Sequence, residues 1–77
     1  MGDRIFDPVA FGQSVKDCSA ALGMSVREAA EDSGVPAATF NRVQRGNAPD
    51  VENYLRLTAW LASNSWPRPA KENEGHG

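Results

Sequence analysis

Ser25, Gly34, Pro36 and Gly46 divide residues 25–46 into two short helical segments, and this punctuation restricts the chain more than any other feature. Ser25 and Glu28 have the spacing of a capping box: the serine hydroxyl accepts from the Glu28 N–H while the Glu28 carboxylate accepts from the serine N–H. Met24 and Ala29 flank that box where a hydrophobic staple fixes the direction of the incoming chain. Gly34 supplies the left-handed residue that ends the first segment after little more than two turns. Pro36 then opens a second helix, where a missing N–H costs nothing, and Gly46 stops it. Helices this short do not persist alone in water, so the pair requires a packed scaffold.

The flanking sequence supplies one. Asp7-Pro8 is a helix start, and Phe11, Val15, Cys18 and Leu22 recur at spacings of four, three and four, which predicts a first helix to about Leu22 with Gly23 as its terminator. Asp50 caps a fourth helix after Pro49, with Tyr54, Leu57, Thr58 and Leu61 as its inward stripe. Val51, Leu55 and Trp60 fall outside that stripe. Leu55 and Trp60, together with Trp66, are therefore the candidate dimer or partner surface. Residues 1–6 read as an N-terminal arm, residues 7–62 as the domain, and residues 63–77 as a tail, in part disordered, whose prolines and polar residues leave too little apolar surface to fold. No stretch alternates as a strand does. The expected fold class is all-α: a compact bundle of four helices, or five if the tail adds one.

A chain of 77 residues holds one small domain, whose core a second copy would help complete, so a homodimer is expected. A single cysteine cannot close a disulfide, and Cys18, lying on the apolar stripe without a neighbouring ligand residue, is a core residue. His76 lacks companions for a metal site and reads as solvated. No charged start followed by an apolar run suggests a signal peptide, and no segment approaches the ~18 apolar residues of a membrane span, so a cytoplasmic protein without membrane contact is expected. A nucleophile with its base, or two carboxylates at a credible pocket, is not in view, which predicts no enzyme activity, no cofactor and no metal.

The net charge of −2 and pI near 5.2 oppose general affinity for nucleic acid, because Lys and Arg supply most of that affinity. The local balance runs the other way: between Ser33 and Pro49 stand Arg42 and Arg45 and no acid. With Phe40 and Val43 turned inward, spacings of four and three put Ala38, Arg42 and Arg45 on the open face of the third helix. A capped helix, a glycine turn and a second helix with a basic outer face form the layout of a helix-turn-helix that enters a major groove.

Residues 15–61 resemble the phage-repressor-like, or XRE-type, helix-turn-helix regulators. The resemblance lies in Met24-Ser25 before the second helix, Ala30 where the second and third helices pack closely, Gly34 in the turn, the large apolar Phe40, and Arg45-Gly46 followed by Pro49. It implies a lambda-repressor-like bundle that binds double-stranded DNA by sequence as a homodimer, most often as a repressor at a palindromic or repeated operator in a bacterial or phage-infected cell, associated with the nucleoid. By position it places base reading on Ala37, Ala38, Asn41 and Arg42, and phosphate binding on Ser25, Arg27, Arg45 and Asn47. Arg42 is suited to guanine, Asn41 to adenine or a phosphate, and the two alanines to thymine methyls. The chain departs from the pattern at Val26, where a phosphate-binding glutamine is common, and at Ser19 and Gln44, where an arginine and a glutamate often pair between the first and third helices. The alternative reading is a protein-interaction module on the same fold, antitoxin-like or anti-repressor, favoured by the acidic balance and by Val26.

Overall fold

Each of the four helices starts and stops where local chemistry directs it. In the computed structural model, which describes residues 6–66, Asp7 Oδ1 accepts from the backbone N–H groups of Val9 and Ala10 at 3.1 and 3.2 Å, and Pro8 begins α1 (Pro8–Ala21). The capping box forms in both directions: the Glu28 N–H donates to Ser25 Oγ at 3.2 Å and the Ser25 N–H donates to Glu28 Oε1 at 2.9 Å, starting α2 (Val26–Ser33). Asp50 Oδ1 accepts from the Asn53 N–H at 3.0 Å and starts α4 (Val51–Ser63). Only α3 (Ala37–Gln44) begins without a side-chain cap; Pro36 stands just outside it, its carbonyl accepting from the Phe40 N–H.

The turn between α2 and α3 depends on Gly34. Its φ of 81° lies in the region that costs other residues about 1 kcal/mol or more, and it lets the Gly34 and Val35 N–H groups return to the carbonyls of Glu31 and Ala30 at 3.2 and 3.0 Å. The chain therefore turns within three residues, and Val35 is carried into the core. The other three helices close in the same way through Gly23, Gly46 and Ser65.

The bundle is all-α, with no strand among the described residues. Val15 and Cys18 of α1, Ala29 and Ala30 of α2, Phe40 and Val43 of α3, and Leu57, Trp60 and Leu61 of α4 form one core with Val35. Burying a side chain of the size of Phe40 or Leu57 contributes about 1.5–3 kcal/mol, enough to offset the weak intrinsic stability of eight-residue helices. Phe6, assigned to the arm by sequence, packs its ring against Phe11 and Tyr54, with centroids 5.1–5.5 Å apart across the three pairs. Residues 1–5 of the expected arm, and residues 67–77 including His76, lie outside the described residues.

Trp60 corrects the reading of α4. It is not a partner surface: the ring is 4% exposed, meets Phe40 edge-on at 5.7 Å, and donates through Nε1 to Asp32 Oδ2 at 2.8 Å. The inward face of α4 is broader than the predicted stripe because the helix lies against both α1 and α2. Trp66 is half-buried against the same core, so its ring serves this chain's own fold. Val26 likewise packs partly against the core. Leu55, by contrast, is 58% exposed, and Val51 75%. Among the described residues no helix is long and apolar enough to cross a membrane.

Candidate nucleic-acid interface

The position of α3 is set from behind. Phe40 and Val43 are buried, which turns Ala37, Ala38, Asn41, Arg42 and Arg45 to the outside, all five exposed. Four of these are the residues assigned to base reading and the fifth is assigned to phosphate. They share one face.

Gly12 of α1 lets α3 come close, a role the sequence reading missed. A Cβ there would stand 2.1 Å from the Val43 carbonyl oxygen, so the two helices touch backbone to backbone. The signal was present in the sequence: a glycine inside an amphipathic helix costs about 1 kcal/mol relative to alanine and usually has a packing reason. Ala30 does occupy the core beside α3, as its small size predicts. A second tie between α1 and α3 involves the residues that depart from the family pattern: Gln44 Nε2 donates to Ser19 Oγ at 3.5 Å, and the Ser19 hydroxyl donates to the Lys16 carbonyl at 3.0 Å. The first contact is at the long limit for a hydrogen bond, yet it joins two neutral groups, so neither end leaves a charge buried without a partner.

The assigned phosphate residues divide into two kinds. Arg27 and Arg45 are exposed, and among the described residues neither they nor Arg42 pairs with a carboxylate; the ion pair present there is Arg56 with Glu52. Ser25 and Asn47 already have structural duties. Ser25 accepts the Glu28 N–H, which still leaves its hydroxyl proton to donate. Asn47 donates both its backbone N–H and its Nδ2 to the Arg42 carbonyl, each at 3.1 Å. It therefore fixes the loop after α3 and keeps a second amide hydrogen for an outside acceptor.

The start of α3 adds backbone donors to this face. With no side chain capping it, the first-turn N–H groups point beyond the helix end, where they and the helix dipole favour an anion. Of the α2 acids, Glu28 is held in the cap, Asp32 is held by Trp60 on the side of α2 that meets α4, and Glu31 is exposed one turn from Arg27. The resulting surface has three guanidinium groups that pair with no carboxylate among the described residues, two methyl side chains, one carboxamide at Asn41, and the uncapped helix start. Such a surface can clamp phosphates and read a base edge. Comparison of the chain with family models, with curated proteins and with solved structures gave no match.

Proposed function

We propose that this chain is a sequence-specific regulator of transcription of the phage-repressor-like, XRE type, a repressor that places α3 in the major groove of double-stranded DNA. The observation that carries the reading is the outward face of α3: Arg42 and Arg45 are exposed, unpaired with any described carboxylate, and mounted on a helix whose other side is fixed by Phe40 and Val43. Arg42 donates twice to a guanine edge, a contact worth about 1–3 kcal/mol of discrimination. Asn41 reads adenine or holds a phosphate, and Ala37 and Ala38 admit the backbone close to the groove floor. Arg27, Arg45, Ser25 and the remaining Asn47 amide hydrogen take phosphates. Readout by so few side chains leaves part of the specificity to DNA shape. The protein works in the cytoplasm as a homodimer without catalytic chemistry, metal or cofactor, on half-sites about one DNA turn, roughly 34 Å, apart.

Selection from a random duplex pool followed by sequencing tests this directly. An enriched inverted or direct repeat supports it, and a pool that stays random at low salt refutes it. Arg42→Ala should lower the ratio of operator to scrambled-duplex affinity by about tenfold, whereas Arg45→Ala should weaken both and reduce the slope of log affinity against log salt by about one. Equal ratios for the parent and the Arg42 variant would remove Arg42 from base reading.

The exposed Val51 and Leu55, with the net charge of −2, favour a second reading, a protein-interaction module on the same bundle. A stoichiometric complex with another protein, together with no mobility shift at low salt, would select it.

A further inference from the structure

The outer face of α4 is apolar along its length and self-complementary in charge. Val51 and Leu55 are 75% and 58% exposed, and Ala59 and Ala62 continue the same face without bulk. Beside Val51 lies an open apolar hollow bounded by Phe6, Ala48, Pro49, Val51 and Tyr54, which no side chain of the described residues fills. A protruding leucine and a hollow of comparable character thus sit next to each other on one surface. Next along the helix from Val51 and Leu55 stand Glu52 and Arg56, both exposed and joined at 2.8 Å.

We infer that this face binds a second copy of the chain through a two-fold, antiparallel contact of α4 with α4, Leu55 of each copy entering the other's hollow. The two-fold follows from the order of residues. An antiparallel register whose two-fold lies level with Asn53 and Tyr54 brings Val51 within about one residue rise, roughly 1.5 Å, of the partner copy's position 55, and on the adjoining edge brings Glu52 equally near position 56, twice over. Opposite charges one helical turn apart are therefore complementary to themselves, as an isologous interface requires. A contact confined to the first turns of α4 and the adjoining hollow is at the small end of specific interfaces, so self-association falls in the range of about 10 μM to 1 mM. This names the surface for the homodimer of the proposed function, and its test needs no DNA.

Sedimentation equilibrium over that range, with circular dichroism to confirm helicity, measures it. The parent should dimerise, and Leu55→Asp should raise the dissociation constant by about tenfold or more while leaving helicity unchanged. E52R and R56E chains should each lose self-association, since each homodimer then opposes like charges, and an equimolar mixture of the two should recover it as a heterodimer. A parent monomeric at 1 mM, a Leu55→Asp chain that dimerises like the parent, or a mixture no stronger than its components would each overturn the inference. If the mixture associates while duplex selection finds no operator, the DNA reading fails and this surface stands.

Discussion

Replacing Gly12 by alanine opposes two quantities of known size. In an ordinary helix interior the change is stabilising by about 1 kcal/mol, because alanine loses less backbone entropy. At Gly12 the new methyl would stand 2.1 Å from the Val43 carbonyl oxygen, 3.2 Å from its carbon and 3.4 Å from the Gly46 nitrogen. These are backbone atoms and cannot rotate aside, so α1 and α3 must part by about 1 Å or more before the contact ceases to repel. Parting them loosens Val15, Cys18 and Val43, all within 1% of complete burial. Overpacking of this kind costs about 3 kcal/mol at its upper range, and against the gain of about 1 kcal/mol the net loss is about 2 kcal/mol. For a domain of this size that lowers Tm by roughly 8–16 °C. Urea unfolding followed by the fluorescence of Trp60 and Trp66, with far-ultraviolet circular dichroism, gives the measurement. Gly23→Ala is the control: nothing lies within 4 Å of its Cβ, and with φ of 70° it pays only for the left-handed backbone, about 1 kcal/mol. A Gly12→Ala chain as stable as the parent, or more stable than Gly23→Ala, would refute the close crossing and with it the account of how α3 is held.

Trp60→Phe keeps an aromatic ring beside Phe40 but removes the donor to Asp32, and should cost about 1–2 kcal/mol in urea unfolding; an unchanged midpoint would mean that the 2.8 Å bond contributes nothing net. Ser65 has φ of 56° where α4 closes, so Ser65→Gly should stabilise by about 0.5–1 kcal/mol, read as a rise in Tm, and a fall would show that the serine side chain holds that closure.

The parts of this fold that were legible in sequence are those fixed by chemistry within four residues. Asp7, Ser25 and Asp50 each reach a backbone N–H two or three positions on, and Gly34 returns to Ala30 and Glu31, so residue type and spacing determined both ends of α2 and the starts of α1 and α4. The outward face of α3 was legible for a related reason: Phe40 and Val43 define its inside over a single turn. What the sequence hid depends on partners far along the chain. Trp60 meets an acceptor 28 residues away, and the Gln44 contact with Ser19 spans 25. Trp60 also lies one step around the helix from Leu57 and Leu61, outside a stripe drawn for a single neighbour, and only packing against α1 and α2 together widens the buried face to include it. Gly12 was passed over because a glycine shows its purpose only through the backbone it admits.

Net charge says little about any one face of a domain when the charges have different occupations. Of the seven carboxylates among the described residues, Asp7, Glu28 and Asp50 accept backbone N–H groups at helix starts, Asp17 accepts from Gln13, Asp32 from Trp60, and Glu52 from Arg56. Three of the seven thus act at helix starts, where the helix dipole stabilises a carboxylate, and Asp32 ties α2 to α4. Among the described residues the arginines at 27, 42 and 45 pair with no carboxylate. Capping favours acids and hydroxyls at the beginnings of helices, whereas recognition of an anion needs cations on one outer face, and a small domain can satisfy both where the two requirements fall on different surfaces. Three of the ten acids of the sequence are accounted for by how the helices are started. The sign of the surface around α3 is set separately, by the absence of acids from Ser33 to Pro49 and by a helix start left uncapped.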